Sequence, residues 1–288
     1  TKTTTKSIAK MTAGVIGAVA AFRQMSQVVS ESIKSFRDFE FQMAKTKAVT
    51  NASESDFKLL SDSAKDLGRS TFFTAQQVAE LQTNYGKLGF TTQEILDAQE
   101  ATLNLAIATD SDLGRATIVA GAAVKGFGLE VSETKRVVDV MTASFAASPL
   151  DIEKFQTSMT KVAPIAASAG ISIEATTATM GVLAEAGHEA SIAGTALRQI
   201  FLKMINPTSE LAKEIGFTVN STDDFLIAIK NLSEAQIDNL RVQEIVDDRQ
   251  VAVFNTIRKG TPDIIKFTNA FENASGTAQI MADIIGDT

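Results

Sequence analysis

The sequence predicts an all-α protein: a long amino-terminal heptad helix followed by a stack of short antiparallel helices joined by glycine-capped corners. Three observations carry that reading. Apolar residues recur at helical spacing along most of the chain, and no stretch alternates with the period of two that a half-buried strand requires. In addition, one corner device recurs four times: a helical run stops at glycine, an apolar residue follows, and a helix-starting polar residue comes within a few positions. The instances are Gly89-Phe90-Thr91, Gly128-Leu129 with Ser132, Gly170-Ile171-Ser172 and Gly216-Phe217 with Ser221. Glycine takes the left-handed conformation that closes a helix, and the apolar residue packs back on the last turn. The Thr or Ser then accepts from free amides of the next helix, reinforced where Glu94 follows Thr91 by three positions.

The first element is read from a heptad. Ile8, Val15, Phe22, Val29, Phe36 and Met43 recur every seven residues, with Met11, Ala18, Met25 and Phe39 between them, which is the pattern of a self-association seam. No proline interrupts residues 8–50, so one helix of about 60 Å is feasible at ~1.5 Å per residue. Such a helix cannot bury its stripe on itself. It is expected to lie along the rest of the chain or to pair with copies of itself, and Gly14, Gly17 and Ala18 permit close crossing near its start.

Asn51 and Ser53 mark the first break, and Ser53 with Asp56 resembles a capping box. Short helices are then expected over 54–67, ended by Gly68, over 75–88, opened by Thr74 with Gln77, and over 92–108 and 112–127. The next group covers 133–147, 152–169, 173–186 and 192–206, the last ending before Pro207. Pro164 falls inside one of these runs and is expected to kink or split it. Beyond Pro207 the elements shorten: 209–215, 222–232, 234–247, 248–259, 262–274 and 276–286. The spacing of Val78, Leu81, Tyr85 and Leu88, of Ile152, Phe155, Met159 and Val162, and of Leu197, Ile200, Phe201 and Met204 reads as core packing. These segments group into an extended amphipathic helix over 1–52, a helical core region over 53–206 and a smaller helical segment over 207–288.

Composition narrows the function. With 44% apolar and 21% charged residues the chain is an ordinary folded one, and its abundant alanines let helix axes approach closely. There is no cysteine, hence no disulfide framework and no thiolate metal site. A net charge of −7 argues against nucleic-acid affinity, sequence-specific binding included, because phosphate contacts depend on Lys and Arg. The charge is uneven. Residues 1–47 hold eight Lys or Arg against three acids, about +5, leaving about −12 for the remainder. The uncharged run Met11 to Phe22 (MTAGVIGAVAAF) spans 12 residues, short of the roughly 20 that cross a bilayer, and the helical pattern continues past it without a cleavage site. A chain that begins at Thr1 rather than Met is expected to be a piece of a longer protein.

No residue pattern specifies chemistry, so no catalytic, cofactor-binding or metal-binding residue is assigned. His188 is the only histidine, which removes every scheme that needs two imidazoles. It lies in an expected corner, where an exposed or capping role suffices. Asp110-Ser111-Asp112 starts like a calcium loop, but its twelfth position is Gly121 rather than Glu. The glycines from Gly121 to Gly126 lack the Lys-Ser/Thr ending of a phosphate loop. Ser191 and Thr195 have no base within sequence reach.

One segment carries a resemblance. Gly170 to Pro207 (GISIEATTATMGVLAEAGHEASIAGTALRQIFLKMINP) is similar to the core region of phage tail tape measure proteins of the TP901 type, in Gly170-Ile171-Ser172, Leu183 to Gly187, Ala193 to Arg198 and Pro207. Thr74 to Val78, Gly89-Phe90-Thr91, Ala106 to Leu113, Phe127-Gly128-Leu129 and Asn273 to Ala278 look like the same family, so the likeness covers roughly residues 38–282. It departs from the family at His188-Glu189, where relatives commonly place an apolar residue.

The resemblance implies a virion structural protein, not an enzyme. Such a protein sets tail length while the tube assembles around it in the tail lumen, and is released ahead of DNA at infection. It implies homo-oligomers, tail tube and tail tip or baseplate proteins and tail assembly chaperones as partners, transient contact with the host membrane, and a stay in the host cytoplasm during assembly. Two other readings keep the fold and change the role: a helical adaptor without a ruler function, and a membrane-interacting module acting through Met11 to Phe22.

Overall fold

The computed structural model describes residues 30–286, and among these every regular element is helical. The chain divides into two compact units, Thr1–Thr83 and Asn84–Thr288.

In the first unit α1 covers residues 30–50 and α2 covers Glu54–Ser70, and α3 (Ala75–Lys87) begins there and runs across the unit boundary. The Ser53 hydroxyl accepts from the Asp56 amide, and Thr74 and Gln77 exchange the reciprocal bonds of a capping box at 2.8 and 3.2 Å, so both starts lie where the caps predict them. The predicted stop at Gly68 is corrected: α2 continues to Ser70. A Cβ at Gly68 would lie 2.5 Å from the Ala75 amide nitrogen, so this glycine admits the incoming backbone of α3 rather than ending a helix. Polar bonds tie the three helices together. Gln42 donates to Thr83 Oγ1 at 2.9 Å, Thr46 donates to the Ala79 carbonyl at 3.1 Å, and Gln82 donates to the Leu60 carbonyl at 3.0 Å.

The second unit begins with α4 (Thr92–Ala108), α5 (Leu113–Phe127), a 3₁₀ turn (Val131–Glu133), α6 (Thr134–Ala147), α7 (Ile152–Ser168), α8 (Ile173–Glu185) and α9 (Ala190–Ile205). It continues with α10 (Glu210–Ile215), α11 (Thr222–Glu234), α12 (Asn239–Ile245), a second 3₁₀ turn (Asp248–Gln250), α13 (Val251–Lys259), α14 (Thr261–Glu272) and α15 (Thr277–Gly286). The four predicted corner glycines all take positive φ, from 64° at Gly128 to 88° at Gly216. Thr91, Ser172 and Ser221 cap the helices that follow, Thr91 with Glu94 as a full capping box. Ser132 does not cap. It sits inside the first 3₁₀ turn, which feeds α6 with no side-chain cap.

The centre of this unit is α8, buried on every side from Ile173 to Leu183 and packed against α6, α7, α9, α13 and α14. Its sequence of Ala, Thr, Gly and Ile explains the placement, since a helix without a charged face belongs inside. Its one buried acid, Glu174, is ion-paired with Arg136 of α6. Thr176 and Thr179 satisfy their hydroxyls on carbonyls one turn back, each at 2.8 Å. The small-residue packing expected from composition appears where α7 meets α9: a Cβ at Gly194 would lie 2.8 Å from the Ser158 Cα.

Pro164 does not split α7. The expected helix over 234–247 shortens to α12, and the segment joining it to α11 is pinned by Arg258, which donates to the carbonyls of Leu232 at 2.8 Å and Ala235 at 3.0 Å.

Candidate self-association surface

Of the predicted seam, Ile8, Val15, Phe22 and Val29 lie outside the described residues, as does the run Met11 to Phe22. Phe36 and Met43 are described, and they part company. Met43 is fully buried, whereas Phe36 is 64% exposed, as is Ile33, and residues 30–37 of α1 are exposed throughout. Seven residues return a helix to nearly the same face about 10.5 Å further along. One apolar stripe therefore runs into the core at its later end and stands in solvent at its earlier end. Around the buried part, Lys65 Nζ stands 5.4 Å from the Phe39 ring and Lys47 pairs with Glu54. Ile33 and Phe36, each 64% exposed, form apolar surface on the earlier part of α1.

The residues considered for chemistry resolve into structural roles. His188 is half-buried just beyond α8, its Nε2 2.8 Å from Thr256 Oγ1 of α13, and so ties two helices rather than facing solvent. Asp112 caps α5 by accepting from the Arg115 amide at 3.0 Å, and Asp110 forms the corner before it at φ 48°. A Cβ at Gly121 would lie 2.5 Å from Leu88 Cδ1, which makes that glycine a packing site.

Ser191 has a neighbour that sequence reasoning missed. Lys161 Nζ, 30 residues away on α7, donates to Ser191 Oγ at 2.5 Å, to the Ser191 carbonyl at 2.9 Å and to Thr195 Oγ1 at 3.0 Å. An ammonium with all three N–H groups engaged holds no lone pair to take a proton from the serine. The contact clamps α7 to α9. Glu189 caps the same end of α9, and the amides of Ser191 and Ile192 hold its carboxyl below the usual carboxylate range.

A groove of about 750 Å³ lies between one face of α9, carrying Ser191, Ile192 and Thr195, and the segment Asp247 to Gln250. Asp248 and Arg249 also line it, and Lys203 pairs with Asp247 at 3.6 Å. Among the described residues no group of three or more His, Cys, Asp and Glu side chains is placed to hold a metal ion, and no helix is long and apolar enough to cross a membrane.

Comparison with known proteins agrees in character. The chain is 29% identical over 274 residues, 89% of its length, to the tape measure protein of Pneumococcus phage Dp-1, and 29% identical over 156 residues, 53% of its length, to the probable tape measure protein of Escherichia phage P2. It spans 24% of the first and 19% of the second, about a quarter or less of either relative. No solved structure matches it. The family model of phage-related minor tail proteins matches residues 61–286, well over half of the chain, and the chain belongs to that family.

Proposed function

We propose that these residues are part of a tape measure protein, a structural and non-enzymatic component of the phage tail that sets tail length during tube assembly. The observation that carries this reading is the similarity to a tape measure protein across 89% of the chain. The all-helical fold is consistent with it, because a helix adds a fixed length of ~1.5 Å per residue along its axis.

On this reading the protein occupies the tail lumen of the virion after assembly in the host cytoplasm, and leaves ahead of DNA at infection. Its partners are the tail tube, the tail tip or baseplate and tail assembly chaperones, with transient host-membrane contact at ejection. Copies associate along the earlier part of the seam, from Ile8 to Phe36, and the exposure of Ile33 and Phe36 supports that use of α1, whereas Met43 belongs to the core of the first unit.

The test is an in-frame deletion in the extended helical part of the complete protein. Removal of sixty residues is expected to shorten tails by about 90 Å in electron micrographs. Tails of unchanged length would refute the ruler.

A further inference from the structure

The last described helix is attached in an unusual way. Among the residues of α15 only Ala278 and Ala282 are buried, while Ile280, Ile284 and Ile285 are 59%, 64% and 44% exposed. An amphipathic helix docked by the hydrophobic effect turns its large apolar residues inward. Here Ile280 and Ile284 point out and Ala278 and Ala282 face in, with only Met281 and Ile285 reaching a cavity toward α4 and α6.

To the close packing of its alanines on α4 and α6, polar bonds are added. Asp139, on α6 and 3% exposed, accepts from the Gly276 amide through Oδ2 at 2.8 Å and from the Ala278 amide through Oδ1 at 2.9 Å. Both carboxylate oxygens are thus spent on the first turn of a helix more than 130 residues away. They satisfy amides that no local side chain caps, at the end of the helix that favours negative charge. A second polar bond follows on the next turn, from Asn104 Nδ2 of α4 to Gln279 Oε1 at 2.6 Å. Beside the helix lie two cavities, of about 140 Å³ and 470 Å³, lined by α15 together with Ala101, Ile107, Val138 and Phe145 of α4 and α6.

We propose that α15 is a releasable clasp, latched by the Asp139 carboxylate, whose opening uncovers the apolar face of α4 and α6 without unfolding the rest of the unit. The argument is the imbalance itself. A helix that fully buries only two alanines and leaves Ile280 and Ile284 mostly exposed leans on its charge-assisted bonds, and these are lost or kept together. Buried carboxylates that accept two backbone amides are costly to leave unmatched, so release separates both partners into water at once.

The test is hydrogen exchange on the whole chain, comparing the natural protein with Asp139→Ala. Amides of residues 277–286 are expected to exchange roughly ten- to a hundredfold faster in the variant, while those of α4, α6 and α8 keep their protection. Exchange unchanged in α15, or raised equally across α4, α6 and α8, would overturn the clasp. A second variant guards against a variant that merely misfolds: a chain truncated after Gly276. It is expected to keep a cooperative thermal transition and to bind more of an apolar dye than the natural chain. Loss of the transition, or dye binding no greater than before, would equally overturn it.

Discussion

Gly194→Ala sets two physical effects against each other at one atom. In a helix interior alanine is better than glycine by about 1 kcal/mol, so propensity alone predicts a more stable protein. The structure predicts the reverse. The added Cβ would lie 2.8 Å from the Ser158 Cα and 3.0 Å from the Ser158 carbonyl oxygen, whereas ordinary contact begins at 3.4 Å. The obstacle is backbone in the middle of α7, so it cannot swing aside, and the two helices must separate by several tenths of an ångström. Overpacking of this kind costs about 1–3 kcal/mol. Separation also loosens the bond from Ser158 Oγ to the Ala190 carbonyl, 2.8 Å in the structure, worth about 1 kcal/mol.

The net is a loss of about 1–3 kcal/mol, or a fall of roughly 2–12 °C in melting temperature for a unit of this size. Gly181→Ala is the control, because its nearest neighbour is the Ser148 hydroxyl at 3.2 Å, a side-chain atom that can give by a few tenths of an ångström without moving helix backbone. It is expected to be neutral or slightly stabilising. Both are read by thermal and urea melts followed by circular dichroism. A Gly194→Ala protein as stable as the natural one, or a Gly181→Ala protein equally weakened, would show that backbone contact does not set the α7–α9 spacing.

Two further outcomes follow from exposure and burial. Phe36→Glu combined with Phe22→Glu is expected to lower the oligomer mass seen by light scattering at unchanged helicity, since Phe36 is solvent-exposed and such a change costs within about 0.5 kcal/mol of fold stability; an unaltered mass ends the case for the seam. Met43→Glu, in the same heptad phase but fully buried, is expected to unfold the first unit instead. Tyr85 is the one tyrosine in the chain, its hydroxyl 2.5 Å from Thr102 Oγ1, and burial pushes its ionisation well above the ordinary 10.0. Keeping the phenol neutral therefore stabilises the fold fully below pH 10, and the benefit is lost as pH rises beyond it. Phenolate absorbance is expected to appear together with loss of helicity; a simple titration near pH 10 with helicity intact refutes the burial.

Local rules made much of this fold legible. The caps at Ser53, Thr74, Thr91, Ser172 and Ser221 and the corner glycines at 89, 128, 170 and 216 act over three to five residues, so their signal is contiguous in the chain and the structure keeps it. Where the local rule has a tertiary competitor, it misleads. Gly68 looks like a helix stop and is a crossing point, because only the approach of Ala75 distinguishes the two. Ser132 looks like a cap and is absorbed into a 3₁₀ turn.

The candidate surface divides in the same way. Heptad spacing alone placed Phe36 and Met43 on one stripe, and periodicity cannot say where along that stripe a bundle begins. Asp139, Lys161 and Arg258 carried no signal at all, since each acts on backbone or hydroxyl groups 21 to 139 residues away. The sequence by itself determined that the chain is helical, where most helices start and stop, and that its small residues draw helices close. Only the tertiary structure decided which apolar residues are covered and which helix ends are latched by distant charge, because burial and long-range hydrogen bonding belong to the packed assembly and not to any stretch of chain.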